Sequence, residues 1–350
     1  MGSNMKLKKP SLKKTPPLKV TPEESEKKTE KEKIKKRREE VLKSGRKFKY
    51  PLHYSKHRLI TITVVVAIIA LVGSFITGYL MLYKVQSTGD VMYRLTKIFP
   101  VSVAKIDGEN VRYSDYLMIY KSSTRPIEQQ TGSFGEGPDA DSRRNYYKRA
   151  ALNEAEEYAY AAKLAREKGI EVTEAEIDAS FDEHRKVGGT ELSNESFLRI
   201  IKDNFGLSED EYRHMLQLSL LKKNVSVAID SNAKNTINEI KKYLSENEND
   251  FKKARDQFTS RADYEETGGL VGAENVDGGR ALKALSLEKD QVSEPFVSLN
   301  GDGYYIIKCV NKANNEVSYV SLFVPFSEFD KQISSLKEAG KIEESIEIPE

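Results

Sequence analysis

The side chains that ordinarily do chemistry are few and scattered in this chain. Its four histidines, His53, His57, His184 and His214, all precede the last third. His184 sits in "DEHR" beside acidic residues, but a metal site needs more ligands at helical spacing, so it reads as a solvated helix face. The carboxylates of "DADSRR" (139–144) lack a partner base and read as loop. "GGLVG", "DGGR" and the glycine-rich run at 132–137 have no lysine and Ser/Thr of a phosphate-binding loop, so they are turns. No Ser-His-Asp constellation can be named. No metal and no cofactor is expected. Cys309 is the single cysteine, which rules out an intramolecular disulfide framework. It reads as a strand cysteine behaving as a small hydrophobe. The segment that holds it, "GDGYYIIKCV" (301–310), is a strand with a glycine-rich approach and Tyr305 at its centre.

The elements that must position these residues divide by charge. Residues 1–58 hold 20 Lys/Arg against 7 Asp/Glu, whereas the rest of the chain holds 36 against 47. A uniformly basic nucleic-acid binder would not divide this way, and no nucleic-acid partner is expected. The divider, Leu59–Tyr83, is 25 residues without a charge. At about 1.5 Å per residue it exceeds the ~30 Å hydrocarbon core of a bilayer. It starts too late and runs too long for a cleaved signal, so it reads as a single transmembrane helix. Lys47, Lys49, Lys56 and Arg58 precede it and only Lys84 closely follows. That bias puts the N-terminus in the cytoplasm and residues 84–350 outside. Residues 1–58, rich in Lys, Glu and Pro, read as a disordered cytoplasmic tail. "EKKTEKEKIKKRREEVLKSGRK" within it is capable of a transient helix, and the tail is a candidate for contact with anionic lipid.

Beyond a juxtamembrane linker (84–104), "VAKIDGENV" predicts a hairpin turning at Asp107-Gly108. Helices follow: one from Ser114 as N-cap, one over Arg143–Lys168, and one opened by a capping box of Thr173 with Glu176. Two more begin at Ser193 or Asn194 and at Ser208. Residues 105–230 therefore form a mostly helical domain. From 231 to 350 the pattern is α+β. Two helices lead to "EPFVSL", "GYYIIKCVN" and "EVSYVSLFVP", β-rich runs punctuated by glycine, and then a terminal helix.

In order and spacing, "KIDGENVRYSDY … REKGIEVTEAEIDASF … GLSEDEYRHMLQLSLLKKNV" resembles the SurA-type N-terminal chaperone domain over roughly 100–230. "INEIKKYLSENENDFKKARDQFT", "ETGGLVG" and "LSLEKDQVSEPFVSLNGDGYYIIKCV" resemble pieces of a parvulin-type prolyl isomerase domain with an antiparallel sheet. Together they look like the envelope foldases of the SurA, PrsA and PpiD kind. The resemblance implies two active-site histidines. One position corresponds to Tyr305. The other would lie on a first strand, but "NVSVAIDSNAKN" occupies that place and has no histidine. The segment that should line a proline pocket is shortened to "AENVDGGRALKAL". "VSYVSLFVPFSEFDKQISSL" (317–336) has the layout of the missing first strand and helix, with Ser321 near the histidine position. It either fills the vacant place in the sheet or is an added C-terminal hairpin.

Isomerisation must lower a barrier of ~18–20 kcal/mol and needs only a site that binds the twisted amide, so lost histidines do not by themselves exclude it. Lost together with the pocket segment, they favour a membrane-tethered binder of unfolded or newly translocated polypeptides without catalysis. Tyr116, Met118, Tyr120, Phe197, Tyr212 and Met215 are its candidate client contacts, although the same helical spacing marks core residues. An active isomerase using Tyr305 and a structural adaptor in an envelope complex are the alternatives.

Overall fold

The computed structural model of the chain describes residues 22–49, 52–132, 134, 138–187 and 190–349. The expectation of disorder for residues 1–21 lies outside them. Pro22–Lys49 form a helix (α1) rather than a disordered segment. Pro22 stands at the first helical position, where its missing N–H costs nothing. Glu32 and Glu39 each precede a lysine by four residues, the favourable order for exposed pairs. Leu52–Tyr83 form α2. The most apolar 18-residue window of its stretch Arg58–Tyr83 has a mean hydropathy of 2.8, and the stretch is long and apolar enough to cross a membrane. Within it the Thr63 and Ser74 hydroxyls donate to the carbonyls of Leu59 and Ala70, 2.9 and 2.8 Å away, so neither needs water.

The chain divides into two units at Thr77, and Gly78–Glu350 is the larger. In it α3 (Asp90–Ile98) leads to a hairpin of β1 (Ser102–Ile106) and β2 (Glu109–Arg112). The hairpin turns at Asp107 and Gly108, both at positive φ (47° and 82°), as a two-residue turn of this hand requires. The expected linker 84–104 is thus largely folded. Helices α4 (Tyr113–Thr131), α5 (Pro138–Lys168) and α6 (Glu174–His184) follow. Helix α4 starts one residue before Ser114, which is buried in its first turn rather than capping it. Pro138 opens α5 five residues earlier than expected, and the capping box of Thr173 and Glu176 is formed. Short strands β3 (Lys186–Val187) and β4 (Thr190–Glu191) precede α7 (Asn194–Ile200), capped by Ser193 and continued by a π turn. Then α8 (Glu209–Ile229) starts with its own capping box, Ser208 and Glu211. Tyr113, Tyr116, Leu117, Leu152, Ala161, Ile201 and Leu207 fill the core between these helices.

A smaller lobe follows. Helices α9 (Ser231–Glu246) and α10 (Phe251–Phe258), strand β5 (Asp263–Glu266), helix α11 (Arg280–Leu285) and strands β6 (Phe296–Val297), β7 (Gly303–Ala313) and β8 (Glu316–Pro325) build an antiparallel sheet in the order β5-β8-β7-β6. Alternation along β7 and β8 sends side chains to opposite faces. Ile306, Val320, Leu322 and Val324 meet α9 and α10 on one face. Tyr305, Ile307, Cys309, Val317 and Tyr319 meet α11 on the other. Strand β8 lies inside the sheet, between β5 and β7, and not at its edge. Its helix goes elsewhere.

That helix, α12 (Glu328–Glu338), and β9 (Ile342–Glu344) return to the helical part. Strand β9 pairs with β1, giving the order β2-β1-β9, and Phe329, Ile346 and Ile348 join the helical core. The expected unit 231–350 therefore holds together only to about Phe326, and the lobe is an insertion between α8 and α12. One buried carboxylate spans both crossings. The Asp230 Oδ1 accepts the Ala233 N–H at the start of α9 (2.8 Å), and its Oδ2 accepts the Ser327 and Glu328 N–H groups before α12 (2.7 and 3.0 Å).

Candidate functional site

The place marked by Tyr305 is built from four directions. Strand β7 carries Tyr305, β8 carries Tyr319 and Ser321, β5 carries Glu265, and the turn into α11 carries Asp277, Gly278, Gly279 and Arg280. Antiparallel register sets Ser321 opposite Ile307 on one side and Glu265 on the other, and Tyr305 opposite Phe323. Arg280, 8% exposed, ties the group together. Its Nη1 donates to Ser321 Oγ at 3.2 Å and pairs with the Glu265 carboxylate, and its Nε donates to the Asp277 carbonyl at 2.8 Å. The guanidinium lies 5.0 Å from the Tyr305 ring centroid and 5.7 Å from that of Tyr319, a contact a planar cation makes with an aromatic face. Burial opposes its charge, but the hydrogen-bonded Glu265 and the two tyrosines more than offset that.

Asp277 completes the arrangement. Its Oδ2 accepts from the Tyr319 hydroxyl (2.6 Å), the Asn275 amide (2.8 Å) and the Ala281 N–H (3.0 Å), so one carboxylate both starts α11 and holds Tyr319. Its Oδ1 is buried without a partner among the described residues. The turn is glycine for a steric reason. A Cβ on Gly279 (φ 88°) would come within 2.8 Å of the Leu299 side chain, and one on Gly278 within 3.2 Å of the Tyr305 ring. Tyr305 stacks on Phe323 at 4.6 Å between centroids and tilts against Phe296 at 5.9 Å. Burial raises its phenol above the ordinary range. The cluster is thus a neutral phenol, a neutral hydroxyl and a cation paired with the Glu265 carboxylate and bonded to the Asp277 carbonyl, packed on the sheet face. A proline ring would have to displace Phe296, Phe323 or the guanidinium to reach it. Cys309 is fully buried on the same face, and burial pushes its thiol up. Tyr305 and Ser321 were singled out in the sequence and the fold brings both to Arg280. Arg280, Asp277 and Glu265 were not, because nothing local marks a residue whose partners lie on other strands.

The six residues expected to touch clients are placed differently. Tyr116, Met118, Tyr120, Phe197 and Tyr212 are buried in the helical core, and Met215 packs against it half-buried. Phe181, Phe197 and Tyr212 form a ring cluster with centroids 5.1 to 6.1 Å apart. They lie on three helices, α4, α7 and α8, and pack inward, as core residues at helical spacing do. His184 belongs to the same group. Its Nδ1 lies 3.0 Å from the Tyr212 hydroxyl, and burial lowers its pKa. Its side chain is otherwise exposed, on the solvated helix face expected for it. Open surface is offered instead beside α12. One recess of about 450 Å³ is lined by Tyr160, Gln332, Leu336 and Lys341. A second, of about 270 Å³, lies where Lys222, Lys223 and Phe329 face the Asn300–Asp302 turn of the lobe.

Residues 53–226 match the family model of the SurA-like N-terminal domain, just under half of the chain. The match takes in the apolar helix, α3, the hairpin and α4 to most of α8. It supports a relationship with chaperone-type folding factors of the SurA and PpiD kind. No curated protein matches the chain.

Proposed function

We propose, taking residues 53–226 as a SurA-like N-terminal domain, that this chain is a membrane-anchored foldase-like chaperone that binds unfolded or newly translocated polypeptides outside the cytoplasm and does not isomerise their prolines. The apolar stretch Arg58–Tyr83 is the anchor. The excess of Lys and Arg before it orients the chain with its N-terminus inside, where α1 meets anionic lipid headgroups. The inserted lobe is a degenerate parvulin-type sheet, completed by β8 arriving from the far end of the sequence. The observation that carries the loss of catalysis is the Arg280 cluster. Side chains that lock one another by hydrogen bonds and stacking occupy the ground where an isomerase needs an open apolar pocket for the twisted amide.

Clients contact the recesses flanking α12 and not the buried rings of α4, α7 and α8. The test is aggregation of a reduced, unfolding protein in the presence of the full chain in lipid nanodiscs. Suppression at near-stoichiometric ratios, weakened by Leu336→Asp in the larger recess, is expected. Unaltered aggregation together with one stable crosslinked partner in membranes would replace this reading with an adaptor.

A further inference from the structure

Helix α3 is apolar on two sides. Tyr93 and Thr96 face the core, and α3 is fixed there by Tyr93 and Lys97, each donating to Glu211 at 2.9 Å, and by Lys121 pairing with Asp90 at 2.9 Å. The opposite face carries Val91, Leu95 and Ile98 at the i, i+4, i+7 spacing of one stripe, 68%, 38% and 71% exposed. Arg94 lies exposed along its edge. A soluble face would not be spent this way.

The position of this stripe says what covers it. The last turn of the apolar helix is built into the folded unit. Leu82 is buried, the Tyr113 hydroxyl donates to the Leu82 carbonyl and the Tyr83 hydroxyl to the Ser102 carbonyl, both at 2.7 Å. The connection to α3 is a hydrogen-bonded turn, with Val85 N–H to Leu80 and Ser87 N–H to Met81, rather than a free tether. Six residues separate Tyr83 from Asp90, so α3 stays within about 25 Å of the end of the span even if they were fully extended. Val85 in that turn is exposed too.

We infer that α3 lies in the membrane interface, with Val91, Leu95 and Ile98 sunk into the headgroup–acyl boundary of the outer leaflet and Arg94 reaching back to phosphate. The inference rests on the reading of Arg58–Tyr83 as a membrane span. With the span it makes a second point of attachment of the folded unit to the bilayer.

The chain has no tryptophan, so one introduced residue reports alone. Ile98→Trp, Val276→Trp on the lobe and Ile69→Trp inside the span are placed singly in the full chain, in nanodiscs with and without brominated lipid. All three positions are exposed, which spares the fold. Ile98→Trp is expected to emit to the blue and to lose most of its emission to brominated lipid, as Ile69→Trp does, while Val276→Trp keeps a water-like, unquenched spectrum. Water-like emission at Ile98 beside a quenched Ile69 overturns the inference and leaves the span standing. Unquenched emission at both overturns the span as well. Protection of Ile98 that appears only when an unfolded polypeptide is added assigns the stripe to clients and also overturns it.

Discussion

At the scale of single residues, the structure stakes most on two buried charges. Arg280 holds Glu265, Ser321 and the Asp277 carbonyl while its face meets Tyr305 and Tyr319. Arg280→Met leaves that carbonyl without its donor and the Ser321 hydroxyl with only its 3.4 Å bond to the Glu265 carbonyl, and is expected to cost about 2 kcal/mol or more in chemical denaturation. Arg280→Lys should rescue little of it, because an ammonium cannot make the fork or the stack; full rescue would show the contacts to be incidental. Glu156, on α5, is 5% exposed, with an Oε1 lacking a partner among the described residues. Burial and then the nearby Glu344 push its carboxyl up to about 7, against the pull of Arg149 and Lys337. A raised carboxyl pKa means that the folded chain binds the proton more tightly than the unfolded chain. Stability is therefore greatest below the ordinary glutamate range and falls as pH rises toward 7, above which a buried charge is carried. Glu156→Gln should flatten that slope and be the more stable at pH 8, by at most about 3 kcal/mol. Parallel pH profiles for wild type and variant would place the charge in water instead.

At the scale of elements, what is local was legible in the sequence and what is remote was not. The hairpin at Asp107-Gly108, the box at Thr173 and the cap at Ser208 are written in a few adjacent residues, and they form. The pairing of β9 with β1 joins residues more than two hundred positions apart, and the buried rings of Tyr116 and Tyr212 share their period with any client-binding stripe. Only tertiary packing separates the two. Asp230 is the sharpest such case, since nothing nearby announces that one carboxylate caps both α9 and the start of α12. Asp230→Ala removes both caps and should cost about 2 kcal/mol, roughly one for each helix start. Asp230→Ser, able to cap only the nearer helix, should recover about half. Hydrogen exchange at Ser327 and Glu328 distinguishes the two, staying fast in both variants while Ala233 is protected only in the serine variant. Protection retained at all three in Asp230→Ala would mean that the double cap is not what holds the lobe.

At the scale of the whole molecule, a helical body built around β1, β2 and β9 carries a sheet lobe inserted between α8 and α12. In the reading proposed above, the apolar helix and α3 serve the bilayer, the open recesses beside α12 serve clients, and the Arg280 cluster fills the place of a catalytic pocket. In the function proposed above, the lobe keeps the shape of an isomerase domain without its turnover. The measurement that tests it most directly is NMR exchange spectroscopy on a labelled unfolded peptide with Xaa-Pro bonds, mixed with the full chain in nanodiscs. Uncatalysed exchange takes tens of seconds to minutes. The account predicts shifts and broadening of the peptide with cis–trans exchange left at that rate, and no acceleration in Tyr305→His, because Arg280, Phe296 and Phe323 still fill the site. Faster exchange in the wild-type chain, lost on Tyr305→Phe, would contradict it and make this protein an enzyme.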